Sequence, residues 1–180
     1  MGQPAPVVDA DEIVMDGAVE FDALVRQHQS MVFGMAVHFL RDRPAAEEVA
    51  QDVFVLLHRN LDTLQSPEHI TFWLRKVTSH RCIDYARRHK RPQISLEEAP
   101  ELRVEAPRRD PLLARRLRQL VASLPEKARM VVILRYQEDL TPVEIASVLT
   151  MPVATVKSHL QRSLAMLREK FVRVVGDARI

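Results

Sequence analysis

The chain has 180 residues, a length that suits one domain or two small ones. Hydrophobic residues make up 47% and charged residues 28% of the sequence, so a packed core can form and wholesale disorder is not expected. Only four glycines and few aromatics occur, which favours helix over sheet, and the net charge of +2 alone leaves the class of partner open.

Residues 1–18 predict a flexible acidic tail. Six acids and no lysine or arginine lie in residues 1–22, and the segment lacks the apolar core of a signal peptide. No apolar run approaches the ~20 residues that span a bilayer, so we expect no membrane insertion. Cys82 is the one cysteine, which excludes an internal disulfide and fits the reducing cytoplasm.

Three amphipathic helices are predicted in a first domain: about 19–41, 44–60 and 67–89. Apolar residues from Phe21 to Leu40 recur at spacings of three and four, the period of one buried stripe. Pro44 ends the first helix and suits the first turn of the second. Ser66 predicts the cap of the third. Trp73 falls on the inner stripe of that helix, so we expect it in the core rather than as a base-stacking platform.

Residues 90–111 predict a flexible linker between domains. They hold four of the eleven prolines and many charges. Such a segment cannot bury enough apolar surface to fold alone, and proline keeps it extended. The linker separates a first domain, 19–89, from a second domain, 112–173, which a tail follows at 174–180.

The sequence pattern predicts four helices in the second domain. A capping-box pattern at 123–126 places one helix start near 125, and a second such pattern at 141–144 has Pro142 at the first helical position. Thr150-Met151-Pro152 then interrupts the apolar period, and the last helix runs from about 153 to 173. We see no internal repeat in the chain.

Residues 141–164 match a helix-turn-helix, with a short helix, a turn and a longer helix. In that motif the N-terminal part of the second helix enters the major groove of DNA. A helical hairpin with a solvated polar face would give a similar pattern. We interpret the segment as DNA-binding, because Val156 and Leu160 point inward while side chains that bond phosphates or base edges point outward. The outward residues are Lys157, Ser158, Gln161 and Arg162.

Two blocks of the chain resemble sigma factors of the extracytoplasmic-function (ECF) subfamily. The resemblance to region 4 lies in Leu124-Pro125-Glu126-Lys127-Ala128-Arg129, Leu134-Arg135-Tyr136-Gln137-Glu138, Glu144-Ile145-Ala146 and Thr155-Val156-Lys157-Ser158. The resemblance to region 2 lies in Ala46-Glu47-Glu48-Val49-Ala50-Gln51-Asp52-Val53-Phe54 and in Phe72-Trp73-Leu74 through Asp84-Tyr85-Ala86-Arg87-Arg88. Two matching blocks in the right order, with a linker between them, are more specific than a lone helix-turn-helix.

The resemblance implies an all-α protein of two small helical domains on a flexible linker, with no catalysis. Its partners would be the clamp helices and the flap of core RNA polymerase, promoter DNA and an anti-sigma factor. The polymerase-binding residues would be Glu47, Glu48, Gln51 and Asp52. The residues at the −10 element would be Leu64, Gln65, Ser66, His69, Arg75, Lys76, His80, Arg87 and Arg88. The residues at the −35 element would be Thr155, Lys157, Ser158, His159, Gln161 and Arg162.

Some residues depart from the family pattern or invite other interpretations. His80 stands where many relatives have asparagine, which leaves the preferred −10 base open. Thr150 stands where the turn usually has glycine, and a threonine at positive φ is strained, so we expect this turn to differ locally. His80 and Cys82 do not make a zinc site without a second pair. No nucleophile–base pair or phosphate loop occurs, so we expect neither catalytic residues nor a cofactor.

Two other functions are compatible with parts of the pattern. A conventional helix-turn-helix regulator would use the first domain for dimerisation or sensing and would bind duplex DNA without polymerase. An adaptor or sequestering protein would use its basic helices on acidic protein surfaces. Neither gives a role to the block at 45–60, which resembles a polymerase-docking helix. In the free protein we expect the two domains to be mobile or closed on each other.

Overall fold

The structure, a computed structural model, describes the backbone of residues 10–64, 66–89 and 111–176, and the side chains of 21–64, 66–89 and 115–172. These ranges contain α1 (Ala10–Leu40), α2 (Arg43–Asn60), a 3₁₀ turn (Leu61–Thr63), α3 (Pro67–Arg88), α4 (Pro111–Ala122), α5 (Glu126–Tyr136), α6 (Pro142–Leu149) and α7 (Val153–Gly176). The prediction of an all-α fold is confirmed for them. The first nine residues of the predicted acidic tail, the predicted linker up to 110 and residues 177–180 lie outside the described residues.

α1 begins at Ala10, nine residues earlier than the predicted start at 19. The prediction of a tail over 10–18 is therefore wrong. The last proline of this stretch is Pro6, so no proline interrupts a helix after it.

The first domain packs α1, α2 and α3 around an apolar core. The Oδ1 of Asp42 accepts a hydrogen bond from the backbone N–H of Ala45 at 3.0 Å, which caps α2 just before Arg43. Ser66 caps α3 as predicted, and its Oγ accepts from the N–H of His69 at 3.2 Å. Trp73 packs partly buried against the core, as expected. The side chains without solvent exposure include Val32, Met35, Phe39, Val53, Leu57 and Leu74.

In the second domain, α7 contacts α4, α5 and α6. The capping box predicted at 123–126 does not form. The Ser123 hydroxyl instead donates to the carbonyl of Leu120 at 2.7 Å and accepts from the Nζ of Lys170 at 2.8 Å. The N-cap of α5 is Pro125, two residues later than predicted, and a proline has no side-chain group to cap with.

The two domains lie against each other. α5 and α6 pack on α3, α5 also contacts α1, and the buried apolar residues of both domains form one continuous cluster. Arg129 of α5 joins them, because its Nη1 donates to the carbonyl of Phe39 in α1 at 2.9 Å and its Nη2 donates to the carbonyl of Leu124 at 3.1 Å. Of the two arrangements expected for the free protein, mobile or closed, the structure shows the closed one.

Candidate nucleic-acid interface

A complete capping box fixes the start of α6, the first helix of the helix-turn-helix. The Oγ1 of Thr141 accepts from the backbone N–H of Glu144 at 3.3 Å, and the Glu144 carboxylate accepts from the N–H of Thr141 at 2.7 Å. Hydrogen bonds from the Thr141 hydroxyl and then from its backbone N–H lower the pKa of the Glu144 carboxyl. The box predicted at 141–144, with Pro142 at the first helical position, is confirmed.

The turn between α6 and α7 keeps a left-handed residue although that residue is threonine. Thr150 has φ 52° and ψ 53°, and its N–H bonds to the carbonyl of Ala146. The N–H of Met151 also donates to that carbonyl, at 3.0 Å. The expectation that this turn would differ locally is wrong, because the threonine adopts the left-handed conformation itself, which is unusual for a β-branched residue.

α7 presents the predicted polar face to solvent. Val156 is fully buried and Leu160 is half-buried, so both point inward as predicted. His159 is half-buried, and burial, followed by the charges of Arg162 and Lys127, lowers the pKa of its imidazole. The remaining predicted −35 residues are exposed: Thr155, Lys157, Ser158, Gln161 and Arg162. The helix can therefore offer hydrogen-bond donors and two cations to a DNA groove.

Four of the predicted −10 residues share one face of α3. They are His69, Lys76, His80 and Arg87, at successive spacings of seven, four and seven residues, which return to the same side of a helix. Lys76 is half-buried and the others are exposed. The face is a strip of cationic and imidazole groups along α3, suited to the backbone of a nucleic-acid strand.

The other predicted −10 residues lie elsewhere. The Ser66 hydroxyl caps α3, Leu64 is half-buried, and Gln65 lies outside the described residues. Arg75 and Arg88 each point roughly 100° away from their neighbours Lys76 and Arg87, as successive residues of a helix do. The described residues of this set therefore do not all lie on one face of α3.

Two of the predicted −10 cations already have acidic partners in the second domain. The Nε of Arg75 donates to the Glu138 carboxylate at 3.1 Å, and the Nε of Arg87 lies 3.8 Å from the Glu126 carboxylate. Arg87 also lies 3.8 Å from Asp84, so Asp84 is an ion-pair partner of this arginine within α3.

The predicted polymerase-binding residues form an acidic stripe on α2. Glu47, Glu48, Gln51 and Asp52 are all exposed, and they form two pairs of residues four apart, 47 with 51 and 48 with 52, which places them on one side of the helix. Glu47 accepts from the Nε of Arg43 at 2.9 Å, and Asp52 lies 3.9 Å from Arg81. Both pairs are exposed, so water screens them and they leave the stripe open to a partner.

An apolar groove of about 960 Å³ runs between α1 and α2 beside the acidic stripe. Glu47 and Gln51 belong to both the stripe and the groove. Sequence reasoning did not find this groove. Val55 is the residue from which the groove could have been predicted. It is apolar and 49% exposed, at an outward position of an amphipathic helix where a polar residue is expected. The apolar lining residues are Phe21, Val25, Phe33, Ala50, Phe54 and Val55.

The part of the chain that the structure describes holds no cluster of three or more His, Cys, Asp or Glu side chains that could bind a metal ion. It also holds no helix that is long and apolar enough to cross a membrane. Cys82 is buried, and desolvation raises the pKa of its thiol to about 12. Its chemistry is therefore that of a core residue.

Sequence reasoning also missed the residues that join the two domains. Gln137 and Glu138 were named only as part of the resemblance to region 4, with no contact assigned to them, yet the side chain of Glu138 is only 7% exposed. The Nδ1 of His38 in α1 donates to the Oε1 of Gln137 at 2.5 Å. No local pattern signals such contacts, because their partners lie 63 and 99 residues away in the chain.

Two family models match the chain and together cover about two thirds of it. The model for sigma-70 region 2 matches residues 24–92, and the model for sigma-70 region 4 matches residues 114–167. The first contains α2, α3 and most of α1, and the second contains most of α4, all of α5 and α6, and residues 153–167 of α7.

Curated relatives cover both domains. The chain is 28% identical over 165 residues to the RNA polymerase sigma-E factor of Streptomyces coelicolor, a match that covers 92% of this chain and 93% of the relative. It is 30% identical over 158 residues to the ECF RNA polymerase sigma factor SigE of Mycolicibacterium smegmatis, which covers 83% of this chain and 60% of that relative.

Solved structures share the fold. The sigma factor RpoE of Bartonella quintana, solved with the anti-sigma factor NepR, matches with a TM-score of 0.67 at 14% identity, over 83% of this chain and 95% of that one. CnrH, solved with the cytosolic domain of CnrY, matches with a TM-score of 0.60 at 23% identity, over 89% of each chain.

Proposed function

Because this chain belongs to the sigma-70 family as an ECF sigma factor, we propose that it directs core RNA polymerase to promoters through separate contacts to the −10 and −35 elements. One observation carries the proposal: an exposed reading helix and an acidic docking stripe occur in one chain, in family order. A helix-turn-helix regulator needs the first of these and has no use for the second.

The −35 element would be read by the exposed face of α7. Arg162 and Gln161 carry the donors and acceptors that pair with guanine and adenine edges in the major groove. Lys157 is a point charge suited to phosphate, which fixes position rather than sequence. His159 is half-buried with a lowered pKa, so we assign it to a neutral packing or phosphate contact.

The −10 element would be held by the strip of His69, Lys76, His80 and Arg87 on α3. A melted strand offers phosphates and unstacked bases, and a row of cations along one helix face follows such a backbone. Flipping a base out of the stack costs a few kcal/mol, which contacts near the start of α3 would offset. Arg75, Arg88 and the segment 64–66 would flank this strip.

Core polymerase would dock on the acidic stripe of α2. The stripe supplies charge complementary to a basic helical partner, and the apolar groove beside it supplies buried contact area. By the family resemblance, the partner surface is the clamp helices, and the second domain rests on the flap. We also assign to this chain an anti-sigma factor as regulator, because the Bartonella sigma factor of the same fold was solved with one.

The proposed activity is binding rather than catalysis, and it takes place in the cytoplasm, where bacterial polymerase works. The protein would recruit polymerase, position it on two elements and capture melted DNA.

The experiment that tests the proposal is transcription in vitro with bacterial core polymerase. Purified protein, core enzyme and a promoter library with randomised −10 and −35 positions are incubated with nucleotides, and the transcribed templates are sequenced. We expect initiation to require the protein and to select one pair of elements. Tight binding to duplex DNA without polymerase, with no initiation, would instead establish the regulator and overturn the proposal.

A further inference from the structure

The carboxyl-terminal ends of α1 and α4 meet at Arg129, near the start of α5. Its Nη1 donates to the carbonyl of Phe39 at 2.9 Å, and its Nη2 donates to the carbonyls of Ala122 at 2.5 Å and Leu124 at 3.1 Å. Its guanidinium also lies 5.3 Å from the centre of the Phe39 ring. The carboxyl-terminal end of a helix favours a cation, so the two helix ends account for this arginine.

Three further arginines lie around the same point, and the helix ends do not account for them. Arg41 follows Phe39 by two residues and is half-buried, and the exposed Arg115 and Arg118 lie three residues apart on α4, on one side of that helix. Among the side chains that the structure describes, none of these three forms an ion pair with a carboxylate. We call the four residues, with Arg129, the arginine cluster.

The charges of the arginine cluster act on one another. Burial, followed by the charges of Arg118 and Arg115, lowers the pKa of the Arg41 guanidinium. Burial also lowers the pKa of Arg129, where the charge of Glu126 opposes the shift and the charge of Arg41 adds to it. Cations that are partly withdrawn from water and close together destabilise one another, and an anion among them removes that cost.

The arginine cluster lies on the side of α5 that faces away from the proposed −35 contact. Arg129 and Lys127 are two residues apart, hence about 200° apart around α5. Lys127 lies toward α7, because its charge, after burial and the charge of Arg162, lowers the pKa of His159. DNA held by the exposed face of α7 would therefore not cover the cluster.

The chemistry of the arginine cluster suits linked phosphates. A guanidinium binds phosphate oxygens through two parallel hydrogen bonds. A single phosphate group carries about −1.5 to −2 charges at pH 7, less than the four cations supply, whereas a chain of two or three phosphates matches them. Arg41 interacts with both arginines of α4, so the charges converge on one point rather than forming a row for a nucleic-acid strand.

We propose that the arginine cluster is a binding site for an oligophosphate, a chain of linked phosphates such as a nucleoside triphosphate or inorganic polyphosphate carries. The site uses none of the residues that the proposed function assigns to DNA or to polymerase. Its test therefore needs neither, and the two proposals can fail independently.

Binding is measured on the full chain by isothermal titration calorimetry and by the shift in Tm, at an ionic strength of about 0.1 M and without divalent cations. The probes are inorganic triphosphate, ATP and orthophosphate. We expect one triphosphate to bind per chain, about tenfold or more tightly than orthophosphate. Equal affinity for triphosphate and ATP would support a site that reads the phosphates alone, and tighter ATP binding would support a nucleotide as the source. No binding of either probe at about 1 mM, by both measurements, would overturn the proposal.

Three variants separate a site from a general effect of charge. Arg41→Gln and Arg118→Gln should each weaken triphosphate binding about fivefold or more, because each removes a charged fork from the cluster. Arg116→Gln is the matched control, since it removes the same charge from an exposed position of α4 about 100° from Arg115 and about 160° from Arg118. Urea unfolding checks that all three variants fold. Equal weakening by Arg116→Gln and Arg118→Gln would show that net charge alone attracts the anion, which would overturn the site.

A labelled random-sequence single strand of about 20 nucleotides tests the cluster against nucleic acid. We expect Arg41→Gln and Arg118→Gln to change strand affinity no more than Arg116→Gln does. If they weaken strand binding more than triphosphate binding, the cluster is a nucleic-acid contact and the oligophosphate proposal is overturned.

Discussion

Thr150 adopts the left-handed backbone conformation, which its β-branched side chain disfavours. Its φ of 52° costs an L-residue about 1–2 kcal/mol relative to ordinary helix, and a β-branched residue is among the least suited to it. The surrounding helix-turn-helix enforces the conformation, since two N–H groups of the turn converge on the carbonyl of Ala146. The sequence identified threonine as unusual at this position. It could not say whether the turn would change its backbone conformation or the threonine would adopt a positive φ.

Thr150→Gly should therefore stabilise the protein. Glycine reaches the left-handed region without strain, and the gain exceeds its greater loss of chain entropy, leaving roughly 0.5–1 kcal/mol. Urea unfolding followed by circular dichroism measures the change. Ala154→Gly, at an exposed position four residues on in the first turn of α7, is the matched control and should destabilise the protein by no more than about 1 kcal/mol. Equal destabilisation by both variants would contradict the account of the turn.

Cys82 should be chemically silent in the folded protein. Burial raises the pKa of its thiol to about 12, so almost no thiolate exists at pH 8, and reagents cannot reach it. We expect no alkylation by iodoacetamide at pH 8 and complete alkylation in 6 M guanidinium, about the strength that unfolds stable domains, by mass spectrometry. Modification of the native protein at the rate of the unfolded one would show that α3 does not bury this residue.

At the scale of elements, helix N-caps are among the features that could be predicted best from the sequence. Ser66 and the Thr141 box were found from spacing alone, because an N-cap depends on residues within one turn. The capping box predicted at 123–126 does not form, and the reason is also local: the N-cap of α5 is Pro125 rather than Ser123. The extension of α1 to Ala10 was missed because the acidic composition of 10–18 outweighed its helix-compatible pattern.

The capping box of α6 should be sensitive to acid. Thr141→Ala removes both the hydroxyl that caps α6 and a donor to Glu144, and such a cap is worth about 1 kcal/mol. The pKa of Glu144 is lowered in the folded protein, so its share of stability is present above the unfolded pKa and is lost as pH falls through the folded pKa. The difference between parent and variant in urea unfolding should therefore narrow below about pH 4. A difference that widens in acid would contradict this assignment.

Within α7, two substitutions should weaken promoter binding in different ways. Arg162→Ala should cost about 1–3 kcal/mol and relax base preference at one −35 position, because arginine reads base edges. Lys157→Ala should weaken all sequences alike and reduce the salt dependence of binding by about one unit of slope, because it neutralises a phosphate. Holoenzyme binding to a −35 library at several salt concentrations measures both.

The library also holds the control for these assignments. Ala165, exposed on the same helix but beyond its reading part, should tolerate Ala165→Ser with no change in affinity or preference. If Arg162→Ala leaves base preference intact while Lys157→Ala alters it, the roles of the two side chains are reversed.

At the scale of the whole molecule, the sequence predicted the two domains and their chemistry but not how they meet. Periodicity reports which face of each helix is buried, and both domains follow from it. The contacts of Arg129, Gln137 and Glu138 with the first domain depend on residues far away in the chain, so neither spacing nor composition reveals them. The −10 residues were accordingly predicted as a set without an arrangement in space, and the structure places four of them on a single face of α3.

The central claim is that the acidic stripe of α2 docks core polymerase, and the affinity for core enzyme tests it most directly. Glu48→Arg with Asp52→Arg reverses two exposed charges of the stripe, and Asp62→Arg with Glu169→Arg reverses two exposed acids outside α2 as the control. Titration of core polymerase against the labelled proteins should show the stripe variant bound at least tenfold more weakly, a loss of about 1.4 kcal/mol, and the control unchanged. Equal binding of the stripe variant and the parent would contradict the account of the first domain.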